Sequence, residues 1–287
     1  MPELPEVEVV RRSLKKFIIG KKIKKVDILN SNLRYKIDQN LKIFTEKQRV
    51  ISVKRRSKYL LISLSNDYTI LLHLGMTGKI FLSNKNKKFK TSFYFNKIFD
   101  KKHNHFIIEF NELIKIIYND VRKFGFVKVF KNQDIDYSSH LKYLGPDPLS
   151  SNFTEKYLSN LLPKVKKNIK NFLMDQKYIS GVGNIYANEI LNLSSINPRK
   201  KVCNLNAKKI RKLIKKTKLV LNQAIRFGGS SIKDFKGISG RKGSFQQKFR
   251  VYDRESLKCK KMGCKGIIKK IYISRRSSFY CSVCQNN

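Results

Sequence analysis

The chain of 287 residues carries 63 Lys and Arg against 20 Asp and Glu, for a formal net charge of +43. Hydrophobic residues make up 41% of it, so the charge does not indicate disorder, and no apolar run approaches the ~18 residues of a membrane-spanning helix. The charge predicts a polyanionic partner. Nucleic acid fits best because its phosphates release counterions on binding, and an anionic membrane surface is the alternative.

The N-terminal segment predicts an amphipathic helix. Pro5 suits a first helical turn, and Gly20 suits a C-terminal stop. The apolar residues between them share one face at helical spacing: Val7, Val10, Leu14, Phe17 and Ile18. The acidic start, MPELPEVEVV, lacks the basic region of a secretory signal, so we expect a cytoplasmic protein.

A β pattern follows from residue 22 to about residue 130. Segments rich in β-branched residues, such as RVISVKRRSKYLLISL, YTILLHLGM and HFIIEF, alternate with turn signals at Asn66-Asp67 and Asn111-Glu112. Several strands joined by short turns predict an antiparallel β-sandwich behind the first helix, and therefore an α+β fold.

The second half of the chain is predicted to be helical. The segment LGPDPLS at 144–150 is typical of a linker. Beyond it, helices are expected near 153–161, 166–176, 184–193 and 207–227. Glycines recur through 228–243, which indicates a mobile loop.

Four of the five cysteines lie close together near the C-terminus. Cys259 and Cys264 form a C-x4-C pair, and Cys281 and Cys284 form a C-x2-C pair sixteen residues later. Two such pairs can present four thiolates to one tetrahedral Zn²⁺. Four thiolates close the coordination shell, so the predicted zinc ion is structural and holds a small β-hairpin. Cys203 is interpreted as an unligated thiol.

Pro2 and Glu3 form a candidate reactive pair. Removal of Met1 before a small second residue would leave a secondary amine, which is a nucleophile when unprotonated. Its attack on a sugar C1′ would give an iminium, and Glu3 could supply a proton. The alternative is structural, because proline and glutamate are both favoured in a first helical turn.

Six motifs in order along the chain resemble formamidopyrimidine-DNA glycosylases. They are MPELPEVE at the N-terminus, RRSKYLL at 55–61, HLGMTG at 73–78, DVRKFG at 120–125, LMDQKYISGVGNIYANE at 173–189 and the terminal cysteine hairpin. The related endonuclease VIII branch usually begins PEGPE, and Leu4 instead places this chain in the formamidopyrimidine branch.

The resemblance implies a two-part architecture with DNA in the cleft between the parts. Its expected segments are a catalytic β-sandwich domain at 1–135, a linker at 136–149, a helix–two-turn–helix domain at 150–230, a lesion-recognition loop at 231–248 and a zinc finger at 249–287. Lys233 lies in a family-like stretch of that loop, and Ser244 stands where an aromatic residue often occurs.

The resemblance also implies a bifunctional enzyme of base excision repair. It would excise oxidised purines such as 8-oxoguanine and formamidopyrimidines from double-stranded DNA through a Schiff base at Pro2, and then cut the abasic site by β,δ-elimination. Glu3 would be the acid, Lys58 would serve β-elimination and Arg276 would serve δ-elimination. Glu6 belongs to the same motif, although a helix N-terminal carboxylate explains it equally well.

DNA contacts are implied at further positions. A flipped-out nucleotide leaves a void, and Met76, Arg122 and Phe124 match the residues that fill it. Val121 replaces the proline usual before that arginine. Phosphate contacts are expected from His73, His103, Arg122, Lys166, Asn184 and Arg276. Asn184, after two glycines at a helix start, has N-capping as its alternative role.

Two other hypotheses differ in function class. The chain could be an oxidised-pyrimidine glycosylase of the endonuclease VIII type, or a DNA-binding zinc protein that has lost its chemistry. Intact Pro2, Glu3 and Lys58 argue against the second. We expect a monomer with one Zn²⁺ and no membrane partner.

Overall fold

The computed structural model describes residues 2–84, 100–230 and 244–286. It divides the chain into two compact units. The first comprises Met1–Lys142 with Ile225–Gln246, and the second comprises Tyr143–Ala224 with Gln247–Asn287. Most of the expected lesion-recognition loop, including Lys233, lies outside the described residues.

The first unit begins with helix α1, Leu4–Ile18. Pro5 is in its first turn, as the sequence predicts. The helix ends at a cap on Ile19, and Gly20 follows with a φ of 77°, a conformation that favours glycine. Val7, Val10, Leu14 and Ile18 are buried, and Phe17 is partly buried against the same core.

Two four-stranded antiparallel sheets follow in the described part of this unit. One sheet has the order β1-β6-β7-β5 and the other has the order β2-β3-β4-β8. The strands are β1 (Ile23–Ile28), β2 (Val50–Arg56), β3 (Tyr59–Leu64), β4 (Tyr68–His73), β5 (Lys79–Asn84), β6 (Asn104–Phe110), β7 (Ile114–Asn119) and β8 (Phe126–Lys131). A short helix α2, Asn40–Ile43, lies between β1 and β2.

A single apolar core joins helix α1 to both sheets. Buried side chains of β1, β5, β6 and β7 contact those of β2, β3 and β4 in one cluster that also includes the buried face of α1. Alternating burial along β3 shows that this strand turns one face to the core. The predicted β-sandwich with a flanking helix is therefore confirmed.

The second unit contains four helices and a terminal hairpin among its described residues. The helices are α3 (Glu155–Leu161), α4 (Ile169–Met174), α5 (Asn184–Ser194) and α6 (Ala207–Arg226). The hairpin strands are β9 (Ile268–Ile273) and β10 (Arg276–Cys281). All four helices overlap the predicted ranges, and α4 is shorter than predicted because Asn168 caps its start and Asp175 its end. No helix within the described ranges has the length and hydropathy to cross a bilayer.

Candidate active site and cysteine cluster

Pro2 and Glu3 lie at the start of α1. Both are buried, and Glu3 is 2% exposed. The carboxylate of Glu6 accepts a hydrogen bond from the Glu3 backbone N–H at 2.8 Å, which satisfies a donor left open at the helix start. This structural role for Glu6 agrees with the alternative weighed from the sequence.

Glu6 also anchors the chain beyond α6. The backbone N–H and the hydroxyl of Ser230 donate to one Glu6 oxygen at 2.8 and 3.0 Å. Sequence reasoning did not foresee this contact, because the two residues are 224 positions apart. Glu6 thus connects α1 to Ser230, the last described residue before 231–243.

Lys58 occupies the tight turn between β2 and β3, and is 7% exposed. The sequence pattern runs through this point as one β segment, whereas Ser57 adopts a φ of 55° and reverses the chain. The Arg55 guanidinium donates to the Ser57 carbonyl at 3.0 Å and to Glu8 at 3.1 Å. The turn that presents Lys58 is therefore linked to helix α1.

Glu8 is the centre of an ionic cluster. Its carboxylate accepts from Arg11, Arg12 and Arg55 at 2.8–3.1 Å. Burial alone would raise the pKa of Glu8, but the arginine hydrogen bonds and charges outweigh it and lower that pKa below 4.5. Glu8 is therefore an ionised, arginine-bound carboxylate at neutral pH.

His73 ends β4 beside an aromatic group. Its ring lies 5.0 Å from Tyr59 and 5.6 Å from Phe126, measured between centroids. Burial, followed by the charge of Lys58, lowers the pKa of His73 from 6.5 to about 4. Its Nδ1 accepts from the Gly75 N–H at 3.2 Å. At neutral pH His73 is therefore uncharged, and because its Nδ1 accepts, its Nε2 carries the proton.

The loops HLGMTG and DVRKFG pack closely against each other. Asp120, which is fully buried, accepts from the Thr77 hydroxyl and from the Gly125 N–H. A Cβ on Gly75 would lie 2.4 Å from Gly125 N, and a Cβ on Gly125 would lie 1.7 Å from the Tyr118 hydroxyl. Both glycines are required by this close approach.

These two loops carry the three predicted void-filling residues. Met76 is 37% exposed and Phe124 is 45% exposed. The Arg122 guanidinium lies 4.7 Å from the Phe124 ring centroid, within cation–π range. The Arg122 N–H donates to Thr77 at 3.0 Å. Met76 is therefore exposed on its loop and is not a core residue.

Two histidines lie near the start of β6. His103 is partly exposed, and its Nε2 lies 3.7 Å from a carboxylate oxygen of Asp100. Its carbonyl accepts from the Asp120 N–H at 3.0 Å, which connects it to the DVRKFG loop. His105, which the sequence analysis did not single out, is fully buried, with carbonyl oxygens of Asn30 and Asp120 at 3.1 and 3.0 Å from its ring nitrogens.

Asn184 in the second unit is the first residue of α5, not its cap. Gly183 takes the N-cap position, so the N-capping role considered for Asn184 is wrong. The Asn184 Oδ1 is buried without a hydrogen-bond partner in the described part of the chain. The preceding turn is organised by Gln176, whose side chain bonds Met174, Gly181 and Val182. Lys166 is exposed ahead of α4.

Arg276 is exposed beside the tight turn of the terminal hairpin. The turn residues Ser274 and Arg275 both have positive φ, as a two-residue hairpin turn requires. Lys170 on α4, which the sequence analysis missed, is fully buried and donates to the Ser277 carbonyl at 2.8 Å. No local sequence signal distinguishes Lys170 from the other lysines around it.

The four clustered cysteines come together at the other end of the hairpin. The sulfur atoms of Cys259, Cys264, Cys281 and Cys284 all lie within 4.8 Å of one another, an arrangement that can hold a metal ion. Backbone N–H groups of Lys261, Gly266 and Cys284 point at these sulfurs at 3.3–3.4 Å. Cys203 is exposed and apart.

Helix α5 binds the hairpin and the segment before it. Phe279 N–H donates to Asn188 at 2.7 Å, and Gln285 bonds Asn192 at 2.9 Å. The Glu189 carboxylate accepts three backbone N–H groups, from Arg250, Val251 and Tyr252. Burial raises the pKa of Glu189, and these N–H groups oppose the shift. The motif GNIYANE thus has a structural function as well.

Comparison with known proteins identifies the family. A sequence model of the formamidopyrimidine-DNA glycosylase N-terminal domain matches residues 1–127, and one of the formamidopyrimidine-DNA glycosylase H2TH domain matches residues 144–236. A formamidopyrimidine-DNA glycosylase from Rickettsia conorii is 41% identical over 285 residues, covering 99% of each chain. One from Dinoroseobacter shibae is 38% identical, covering 99% of this chain and all of the relative.

The chain belongs to the formamidopyrimidine-DNA glycosylase family. It is a DNA glycosylase of DNA repair, and its partner is DNA. The Lactococcus lactis glycosylase in a complex with abasic-site DNA has a TM-score of 0.85 and 32% identity, covering 99% of this chain and all of that one. A variant of that glycosylase with Fapy-dG-containing DNA has a TM-score of 0.87 over the full length of both chains. The recognised resemblance and the predicted fold class are confirmed.

Proposed function

We propose that this glycosylase excises oxidised purines and then cleaves the resulting abasic site through a Schiff base at Pro2. The observation that carries the proposal is the position of Pro2 and the buried Glu3 at the start of α1. The Lactococcus lactis complexes with Fapy-dG and abasic-site DNA support the substrate class.

The chemistry begins at the Pro2 nitrogen once Met1 has been removed. Its lone pair forms a bond to C1′ of the extruded nucleotide, and the damaged base leaves. Protonation of the sugar ring oxygen opens the ring and produces the iminium. Glu3 is the proposed acid for this step, because it adjoins Pro2 and is withdrawn from solvent.

Lys58 and Arg276 are proposed to act on the phosphates that leave. Elimination removes a proton from C2′ and expels the 3′ phosphate. Lys58 would hold that phosphate from its buried turn. Arg276 remains protonated, so its role is to bind phosphate rather than to take up a proton. Its exposure on the hairpin leaves the guanidinium accessible.

Extrusion of the damaged nucleotide is assigned to the two packed loops. Met76, Arg122 and Phe124 would enter the vacated stack, and their exposure on a rigid loop pair supports this. Phosphate contacts are proposed for His73, His103, Lys166 and Asn184. Asn184 is proposed because it lies at a helix N-terminus, where its Nδ2 and the backbone N–H groups can donate to a phosphate.

The cysteine cluster is proposed to bind one structural Zn²⁺. Four sulfurs within 4.8 Å of one another suit tetrahedral thiolate coordination. Among the described residues, the small core beneath them has the buried members Val251, Ile268, Phe279 and Cys281. Metal binding would stabilise the hairpin that carries Arg276.

A cleavage comparison tests the proposal. The Met-processed protein is incubated with duplexes that contain 8-oxoguanine, thymine glycol or no lesion, and the reactions are repeated with borohydride. We expect preferential cleavage at 8-oxoguanine and a borohydride-stabilised protein–DNA adduct. Preference for thymine glycol would move the chain to the oxidised-pyrimidine class. Lesion binding with neither cleavage nor adduct would indicate a protein that has lost its chemistry.

A further inference from the structure

The Glu8–Arg55 ion pair connects two parts of the proposed active site. Glu8 lies on α1, five residues after Glu3, which corresponds to about 7.5 Å of helix. Arg55 lies near the end of β2, three residues before Lys58. The side chains of Glu8 and Arg55 are 11% and 9% exposed, so solvent screens their interaction little.

Arg55 makes a second hydrogen bond that continues this connection. Its Nε donates to Glu8 at 3.1 Å, while its Nη1 donates to the carbonyl of Ser57 at 3.0 Å. Ser57 holds the left-handed φ of 55° that turns the chain, and Lys58 is the next residue. The planar guanidinium therefore fixes the backbone of this turn against α1.

The other two arginines at Glu8 have different second contacts. Arg12 bonds the same carboxylate at 2.9 Å, but its side chain is 60% exposed. Arg11 reaches the Val53 carbonyl within β2 at 3.5 Å. Of the three arginines that bind Glu8 in the described part of the chain, Arg55 is the one that also bonds the turn of Lys58. Arg12 is thus a matched control that shares the carboxylate and lacks the connection.

We propose that Glu8 and Arg55 are positioning residues that hold Lys58 relative to the N-terminal proline. The proposal rests on the proposed function, because it gives Lys58 the elimination step and Pro2 the covalent step. Loss of the ion pair would let the turn relax while the start of α1 stays capped by Glu6. Elimination would then slow, and formation of the iminium at Pro2 would continue.

The test compares Arg55→Gln with Arg12→Gln on a duplex with a preformed abasic site. Strand cleavage and borohydride-trapped adduct are measured in parallel. For Arg55→Gln we expect kcat for cleavage to fall by about 10- to 100-fold, as for other small misplacements of a reacting group. KM and adduct yield should stay within about twofold of the wild type. Arg12→Gln should match the wild type in both readouts.

Two further variants separate positioning from folding. Glu8→Gln/Arg55→Gln removes both charges of the buried pair and leaves only the more exposed Arg11 and Arg12 without the carboxylate, so it should fold and reproduce the cleavage defect. Arg55→Lys keeps the charge but cannot bridge both acceptors through a planar guanidinium, so it should not restore cleavage. Thermal unfolding of each variant checks the fold.

The outcomes distinguish a failure of the positioning role of Glu8 and Arg55 from a failure of the proposed function. A wild-type protein that traps no adduct contradicts the proposed function. A wild-type protein that traps and cleaves, with an Arg55→Gln variant that does both at the same rates, overturns the positioning role. Adduct and cleavage that fall together in Arg55→Gln and in the double variant also overturn it, because that result indicates a general structural contribution.

Discussion

The neutral state of His73 makes the stability of the protein depend on pH. Folding buries the ring beside Tyr59 and Phe126, near the charge of Lys58, and lowers its pKa from 6.5 to about 4. The unfolded chain therefore takes up this proton near pH 6.5, whereas the folded chain resists it down to about pH 4. The contribution of neutral His73 to the free energy of unfolding is therefore fully present above about pH 6.5 and is lost as the pH falls toward 4.

The two pKa values set the magnitude. Between about pH 7.5 and pH 5, linkage predicts a loss of about 2 kcal/mol in the free energy of unfolding from this residue alone. Replacing His73 by Asn removes the titrating ring and keeps an acceptor for the Gly75 N–H. The variant should be less stable at pH 7.5 because it loses the ring contacts, but its pH-dependent loss should be about 2 kcal/mol smaller.

Urea unfolding of both proteins at the two pH values measures this difference. His140, whose pKa is also lowered by burial, titrates in both proteins and cancels. Equal acid-induced losses in the wild type and His73→Asn would show that His73 is not held neutral by the fold, and would refute the electrostatic reasoning for this end of β4.

Three further perturbations address other parts of the molecule. Gly125→Ala places a Cβ 1.7 Å from the Tyr118 hydroxyl and should destabilise the first unit by about 3 kcal/mol or more in denaturant unfolding. Gly20→Ala is the control: its Cβ would have nothing within 4 Å, so the variant should lose only about 1 kcal/mol of stability because of the positive φ. Cys281→Ser should release the metal, measured by elemental analysis, and weaken DNA binding although no cysteine is proposed to touch DNA; a wild-type protein free of zinc would contradict this. Arg122→Ala should lose more activity on paired 8-oxoguanine than on an abasic site at one salt concentration, because the abasic site is already partly unstacked, and equal losses would reduce Arg122 to a phosphate contact.

Much of the fold is predictable from local sequence. Helix α1 follows from Pro5, Gly20 and the apolar spacing between them, and the hairpins follow from β-branched segments separated by turn residues. The cysteine spacing predicts the cluster, since a single hairpin is enough to bring the two short cysteine pairs together.

The remaining features depend on contacts between distant residues. The break at Ser57 lies within an unbroken β pattern, and the turn is stabilised by Arg55 and ultimately by Glu8 on α1. The bond from Ser230 to Glu6 spans more than two hundred residues. Lys170 is buried because the terminal hairpin covers it, and no local periodicity of the sequence predicts that contact.

The identity of the residue that bears the covalent adduct tests the central claim most directly. The wild-type protein is trapped with borohydride on an abasic duplex, digested with nuclease and protease, and the modified peptide is sequenced by mass spectrometry. The proposed site contains two amines that can form an iminium, the Pro2 nitrogen and the buried Lys58 Nζ. The account predicts a modified peptide that begins at Pro2, with Lys58 unmodified. An adduct on Lys58, or a modified peptide that retains Met1, would contradict it.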